Sequence, residues 1–210
     1  MSFSAPSAAS LSTQKSTSAS SASKYRAPGT IIISTGVFEA AIAGNRICKR
    51  RPRLIRRITD LKDILIRPAV VSEQKELEDL QLRASLTNAG DRDALLANPD
   101  AIELPIAQIA AGGVFVAEWN GKIVGFAAVE PRSDGDAELD ALFTDPAMRR
   151  RGIARLLVAH CAEVARTRGS SFLCVVGNPH AKDFYTACGF RVTGTTETRF
   201  GTGLLMRLTV

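Results

Sequence analysis

The sequence has few of the residues that build metal centres, redox sites and disulfide frameworks. Only two histidines and four cysteines occur among its 210 residues, and no two cysteines have C-x-x-C spacing. Such spacing is typical of zinc sites and of thiol–disulfide motifs. We therefore expect no metal centre, and we interpret the cysteines as free thiols of a reducing compartment.

The sequence also lacks an apolar run long enough to cross a bilayer. An apolar run extends from Ile31 to Ala43 and contains Glu39, whereas a membrane-spanning helix needs about 20 apolar residues. Two common phosphate-binding motifs, G-x-x-x-x-G-K-[ST] and G-x-G-x-x-G, are absent as well. These absences argue against a membrane protein, a nucleoside triphosphate site and a dinucleotide site.

Acidic residues are scarce in the first sixty positions. Residues 1–60 contain ten Lys and Arg but only two acidic residues, which gives a net charge of +8. Residues 61–210 contain seventeen Lys and Arg and nineteen acidic residues, which gives a net charge of −2. Ten serines lie in residues 1–24. With so few large apolar side chains, this segment cannot offset the entropy cost of ordering. We predict a disordered tail over residues 1–60 and one folded domain over 61–210.

Three interpretations of residues 1–60 remain open. The segment is a solvated extension or the product of a misassigned start, or it is a transit peptide, since a serine-rich, basic and acid-poor start is typical of organellar targeting. Its basic cluster between Arg46 and Arg57 could also contact an acidic membrane face or nucleic acid, and the near-neutral domain does not favour nucleic acid as a partner. We expect a cytoplasmic protein, or an organellar one if the transit interpretation holds.

A basic, glycine-containing hexapeptide lies between a strand-like run and an amphipathic helical pattern. A helix start has unpaired N–H groups and the positive end of the dipole, so it binds anions. Glycine permits close approach of a phosphate, and arginine supplies positive charge. The predicted phosphate cradle consists of Arg149, Arg150, Arg151, Gly152, Ile153 and Ala154.

A second block, GNPHAKDFYTACGF, occupies residues 177–190. The pattern R-x-x-G-x-A followed by an apolar strand and this block resembles the GNAT superfamily of N-acetyltransferases, over roughly residues 63–210. Each motif is loose alone, and the combination is specific.

The order of periodic segments predicts an α/β domain. Asn120-Gly121 between two alternating runs is a strong hairpin signal. Together with the resemblance, the order implies a mixed, mostly antiparallel sheet with helices on both faces. We predict a helix capped by Ser72 and a helix from Ile153 to about Gly169, whose apolar face consists of Ile153, Leu156, Leu157, Cys161 and Val164. The predicted strands are 64–69, 114–119, 122–129, 138–144, 172–176, 191–196 and 204–208, and the continuous apolar run over 172–176 is typical of a strand buried on both faces.

The resemblance implies acetyl-CoA as co-substrate. In the family, the cradle holds the pyrophosphate and the pantetheine chain pairs with the strand before it. Carried over by position, that backbone belongs to Leu142, Phe143 and Thr144. Asn178 follows the predicted strand over 172–176 and turns the chain there. It either forms a hydrogen bond with pantetheine as well or has only this role in the turn.

Acyl transfer from a thioester to an amine needs a base for the amine and a donor for the leaving sulfur. By its place in FYxxxGF, Tyr185 resembles the family's general acid. Glu138 resembles the catalytic glutamate of histone-acetylating members, with Asp140 or water as alternatives. The two carboxylates favour a cationic acceptor.

We therefore expect an N-acyltransferase that transfers acetyl from acetyl-CoA to an amine of a small molecule or peptide by direct transfer in a ternary complex. The alternative is an inactive CoA-binding sensor or interaction module. In the family, acceptor specificity depends on the first two helices and on the loop between the last strands, here residues 70–112 and 195–202, and a homodimer is compatible with the sequence.

Overall fold

The computed structural model describes residues 63–87, 92, 95–98, 102–199 and 201–210. The predicted tail over residues 1–60 lies outside these ranges. The elements in chain order are β1 (Ile64–Pro68), α1 (Gln74–Ser85), α2 (Ile106–Ala110), β2 (Val114–Trp119), β3 (Lys122–Pro131), β4 (Ala137–Thr144), α3 (Ile153–Thr167), β5 (Phe172–Gly177), α4 (Lys182–Ala187), β6 (Arg191–Thr198) and β7 (Gly201–Thr209).

The strands form one sheet in the order β1-β2-β3-β4-β5-β7-β6. All neighbouring strands are antiparallel except β4 and β5, which are parallel. The hairpin between β2 and β3 turns at Asn120 and Gly121, with φ of +51° and +73°. Two left-handed residues in succession are what a two-residue hairpin turn of type I′ requires. The predicted mixed, mostly antiparallel sheet is confirmed.

Helices cover both faces of this sheet. Every residue from Ile123 to Val129 of β3 is buried, although successive side chains of a strand point to opposite faces. On one face, a Cβ on Gly125 would lie 3.2 Å from Ile153 Cγ2, so α3 packs directly on β3. On the other face, α2 contacts β3 through Gln108 and Glu130.

Three local predictions need correction. Ser72 does not cap α1, because a 3-10 turn over Val71–Glu73 precedes the helix and the Glu73 carboxylate accepts the Val70 N–H instead. In α3, the predicted core positions Leu156 and Val164 are only half-buried. The buried positions of α3 are Ile153, Leu157, Val158, Cys161 and Ala165.

The prediction that β5 is buried on both faces is also wrong. Its burial alternates, with Leu173, Val175 and Gly177 buried and the intervening side chains half-buried. Phe172 is apolar but lies under the Arg207 guanidinium, 4.6 Å from the ring centroid. A long basic side chain therefore covers part of the face that we expected a helix to cover.

Candidate active site

The parallel strands β4 and β5 separate soon after they meet. They pair only at Ala137 with Leu173 and at Glu138 with Cys174, yet β4 continues to Thr144 and β5 to Gly177. Along this open stretch, which we call the β4–β5 gap, β3 is the only described strand that pairs with the backbone of β4. The stretch includes the predicted pantetheine-pairing residues Leu142, Phe143 and Thr144.

A β-bulge places Asp140 beside the point where the two strands separate. Val129 pairs with Leu139 and Ala128 pairs with Ala141, so Asp140 is the extra residue of β4. A bulge bends its strand and redirects the side chain, and bulges are frequent next to active sites. Asp140 therefore lies two residues beyond the last β4–β5 pair, at the closed end of the gap.

The carboxylate of Asp140 shares a hydrogen-bond donor with a second carboxylate. Gln108 Nε2 donates to Asp140 Oδ2 at 3.0 Å and to Glu130 Oε1 at 2.7 Å. Burial raises the pKa of Asp140 from 3.8 to about 6, the Gln108 hydrogen bond opposes the rise, and the charges of Glu130 and Glu138 add to it. Among the described residues, no Lys or Arg forms an ion pair with Asp140.

Glu138, the carboxylate that the sequence favoured as base, is held differently. Its Oε2 accepts from Arg132 Nη1 at 3.0 Å, and Arg132 also binds Asp134 in the turn before β4. Burial raises the pKa of Glu138, and the Arg132 charge opposes this. Glu138 is thus engaged by a cation.

Tyr185 lies on α4 with 0% of its surface exposed. Its ring lies between Phe184 and Phe190, with both ring centroids 5.3 Å away. Burial raises the pKa of Tyr185 above its ordinary value of 10, so the phenol is protonated at neutral pH. Its hydroxyl has no hydrogen-bond partner within the described part of the chain, an arrangement that costs free energy unless a ligand supplies the partner.

The last residue of β5 sets the position of Tyr185. A Cβ on Gly177 would lie 3.0 Å from Tyr185 Cε2 and 3.2 Å from Cδ2, which is tighter than most contacts of a Cβ atom. The absence of a side chain at Gly177 therefore lets the tyrosine ring pack directly against the end of β5.

The predicted phosphate cradle lies at the open end of the gap, where β4 leads through a 3-10 turn into α3. Gly152 precedes the first helical residue, Ile153, and has φ of +81°, and Arg150 has φ of +61°. Glycine adopts such angles without strain. Arg149 donates to the Thr87 hydroxyl at the end of α1, and burial lowers its pKa. Arg150 is exposed and Arg151 is half-buried.

Two other polar residues have structural contacts. Asn178 Oδ1 accepts the His180 N–H at 2.9 Å and caps the 3-10 turn after β5, so the turn role of Asn178 is observed and a pantetheine contact stays a prediction. His160 packs edge-on against Phe115, with the ring centroids 4.5 Å apart.

Neither a metal cluster nor a spanning helix occurs in the described ranges. No group of three or more His, Cys, Asp or Glu side chains is placed to hold a metal ion. None of the described helices has the length and apolarity needed to cross a membrane.

The sequence missed two residues of this site, Gln108 and Gly177. Gln108 lies within the apolar segment IAQIA and carries no motif. Gly177 is the first residue of the block at 177–190, so the sequence pointed to this region. It did not predict that Gly177 contacts the ring of Tyr185, eight residues later.

Comparison with known families supports the resemblance to the GNAT superfamily that the sequence shows. The model of the acetyltransferase (GNAT) family matches residues 75–190. The chain therefore belongs to the acetyltransferase (GNAT) family, and the sequence-based assignment is confirmed.

One curated relative is an uncharacterised N-acetyltransferase of Methanocaldococcus jannaschii. It is 38% identical over 89 residues, which cover 37% of this chain and 38% of the relative. The chain thus matches under half of the length of this relative.

Solved structures share the fold. The PaiA N-acetyltransferase of Thermoplasma acidophilum, in complex with coenzyme A, has 16% identity and a TM-score of 0.57 over 70% of this chain and 99% of its own. The yncA acetyltransferase of Salmonella typhimurium, with acetyl-CoA, has 24% identity and a TM-score of 0.52, covering 70% and 93%. The ribosomal-protein-alanine N-acetyltransferase of Brucella melitensis has 24% identity and a TM-score of 0.53, covering 70% and 99%.

Proposed function

We propose that this protein transfers the acetyl group of acetyl-CoA to an amine of a small molecule or peptide, by direct attack within a ternary complex. The observation that carries this proposal is the β4–β5 gap. Asp140 lies at its closed end, and Tyr185 packs against the last residue of β5. A proton acceptor and a proton donor are thus available at one opening in the sheet.

The residues around the gap suit acetyl-CoA. Its pyrophosphate is an anion, which the α3 start and the left-handed Gly152 can accommodate. Its pantetheine chain carries amide groups that can pair with the free side of the β4 backbone at Leu142, Phe143 and Thr144. The Tyr185 hydroxyl, buried without a partner among the described residues, is the donor that such a ligand would satisfy.

We assign the base to Asp140 rather than to Glu138. The attacking nitrogen must lose a proton, and a catalytic base works best when its pKa approaches the working pH. The pKa of Asp140 is about 6, and among the described residues no cation pairs with its ionised form. Glu138 is bound by Arg132 at 3.0 Å and remains the alternative, as does a water molecule.

We assign the general acid to Tyr185. As the nitrogen attacks the thioester carbonyl, a C–N bond forms, the C–S bond breaks and negative charge collects on sulfur. The protonated Tyr185 hydroxyl donates to that sulfur, and Asp140 receives the proton released by nitrogen. Acetyl-CoA supplies the activated acetyl group.

The charge at the closed end of the gap favours a cationic acceptor. Glu130, Glu138 and Asp140 lie close enough for their charges to influence one another, and Arg132 is the cation that compensates Glu138. An ammonium group that enters this region would be attracted by the remaining negative charge.

Release of free thiol from acetyl-CoA, measured against a panel of amines and peptides, tests the proposal. We expect cationic amines to give turnover. Asp140→Asn should lower kcat about 10²- to 10⁴-fold at unchanged CoA affinity, and Glu138→Gln should lower it much less. CoA binding without turnover on any acceptor would favour the inactive CoA-binding module instead.

A further inference from the structure

Gln108 is a buried amide with two carboxylates on one nitrogen. It lies on the five-residue helix α2 and is 6% exposed. Its Nε2 donates to Glu130 of β3 at 2.7 Å and to Asp140 of β4 at 3.0 Å. One side chain therefore links both antiparallel strands at the level of the bulge.

The orientation of this amide is fixed by its partners. Turning it over would place its oxygen against two anionic carboxylates, because an amide oxygen accepts and cannot donate. In the observed orientation Oε1 is buried and has no hydrogen-bond partner among the described residues. A buried acceptor without a partner costs free energy. The contacts of Nε2 with Glu130 and Asp140 offset this cost.

We propose that Gln108 is the positioning residue that holds the carboxylate of Asp140 in place at the bulge, through its shared hydrogen bonds to Asp140 and Glu130. The proposal rests on the proposed function, because it concerns the base of that reaction. Gln108 does not touch a reacting atom. It acts through Asp140 by donating to the charged form of the carboxylate.

The groups around Asp140 predict the direction in which its pKa changes when each of them is removed. The Gln108 hydrogen bond lowers the pKa of Asp140, whereas Glu130 on β3 and Glu138 on β4 raise it. α1 also packs against β4, and among the described residues it adds no charged group to this set. Loss of the Gln108 donor and loss of the Glu130 charge should therefore move the titration of Asp140 in opposite directions.

Two variants of the full-length protein test this. Gln108→Met keeps the length of the side chain and removes the N–H, and Glu130→Gln is the matched control that removes one charge from an exposed position. We expect Gln108→Met to move the acidic limb of the pH profile of kcat/KM upward by about one pH unit. Glu130→Gln should move it downward.

Carbon-13 NMR titration of the Asp140 carboxyl, assigned with Asp140→Asn, gives a readout that does not depend on activity. An upward shift in Gln108→Met, seen by NMR in a protein that acetylates nothing, would support the positioning role and reject the proposed reaction. An unchanged midpoint in folded Gln108→Met would overturn the positioning role. If Gln108→Met does not fold, Gln108→Leu, which also lacks the N–H, takes its place, and an unchanged midpoint in folded Gln108→Leu would overturn the positioning role.

Discussion

Under the proposed function, folding and catalysis make opposite demands on Asp140. Its pKa in the folded protein, about 6, exceeds the ordinary 3.8. The folded state therefore holds this proton more tightly than the unfolded state does. Ionisation of Asp140 costs stability, and the cost is absent below about pH 4, grows between about pH 4 and 6, and is complete above that range.

Asp140→Asn should consequently stabilise the protein while it slows turnover. At about pH 8 we expect the free energy of unfolding to rise by about 1 to 3 kcal/mol, because the buried charge is gone. At about pH 4 the gain should vanish. Thermal unfolding of both proteins at the two pH values measures this, and a gain confined to low pH would contradict the assigned sign.

Tyr185→Phe tests whether the hydroxyl of Tyr185 has a catalytic role or whether the residue serves only through the packing of its ring. Because the hydroxyl has no partner among the described residues, its removal should leave the free energy of unfolding unchanged or raise it by about 1 kcal/mol. A general-acid role predicts that kcat falls on the order of 10²-fold with CoA affinity retained. Steady-state kinetics and CoA titration check both, and normal turnover would return Tyr185 to a packing role.

At the scale of elements, a negative charge added at the start of α3 tests the predicted pyrophosphate site most directly. Gly152→Asp puts a carboxylate and a strained left-handed side chain at the predicted pyrophosphate position. We expect it to abolish the stabilisation by CoA, which at a hundred times the dissociation constant is about 2.7 kcal/mol for the wild type. Thermal unfolding with and without CoA measures the difference.

Gly135→Asp is the matched control for this prediction. Gly135 also has a positive φ, +89°, and a Cβ at this position would meet no described atom within 4 Å. It lies in the turn before β4, at the opposite end of that strand from α3. This variant carries the same new charge and similar backbone strain, so it should keep its response to CoA. An equal loss in both variants would place the cradle elsewhere.

Local sequence signals were sufficient to predict most elements. Asn120-Gly121 specified the β2–β3 hairpin because few residue pairs adopt two left-handed conformations in succession, and the periodic apolar residues of α3 specified a helix. Burial of β5 could not be read in the same way. Its apolar run does not reveal that the Arg207 side chain, from a strand far along the chain, lies over Phe172.

The sequence predicted less of the candidate site than of the fold. Glu138 and Asp140 were both visible as strand carboxylates, but the bulge that sets Asp140 apart arises from the pairing of β4 with β3. Gln108 was missed because its role depends on where a five-residue helix packs. Gly177 was missed because its lack of a side chain matters only once α4 brings Tyr185 against it.

For the whole molecule, we propose that residues 61–210 form the functional unit. Deletion of residues 1–58 should leave the thermal midpoint and the CoA response nearly unchanged, because β1 begins at Ile64 and the family match begins at residue 75. Thermal unfolding of the shortened chain checks this. Failure of the shortened chain to fold would reject the boundary, and an altered cellular location would support a targeting role for the removed segment.

The separation of β4 from β5 gives the sheet an internal edge as well as its two outer ones. An outer edge can pair with any extended chain, including another copy of the protein. The internal edge is flanked by strands on both sides, so only a narrow, extended molecule can enter it. Under the proposed function, the pantetheine arm completes the sheet as a missing strand would. The hydrogens of the backbone amides along Leu142–Thr144 should then exchange with solvent more slowly as the CoA concentration rises. The free energy of local opening in this part of the domain would therefore depend on the concentration of the co-substrate.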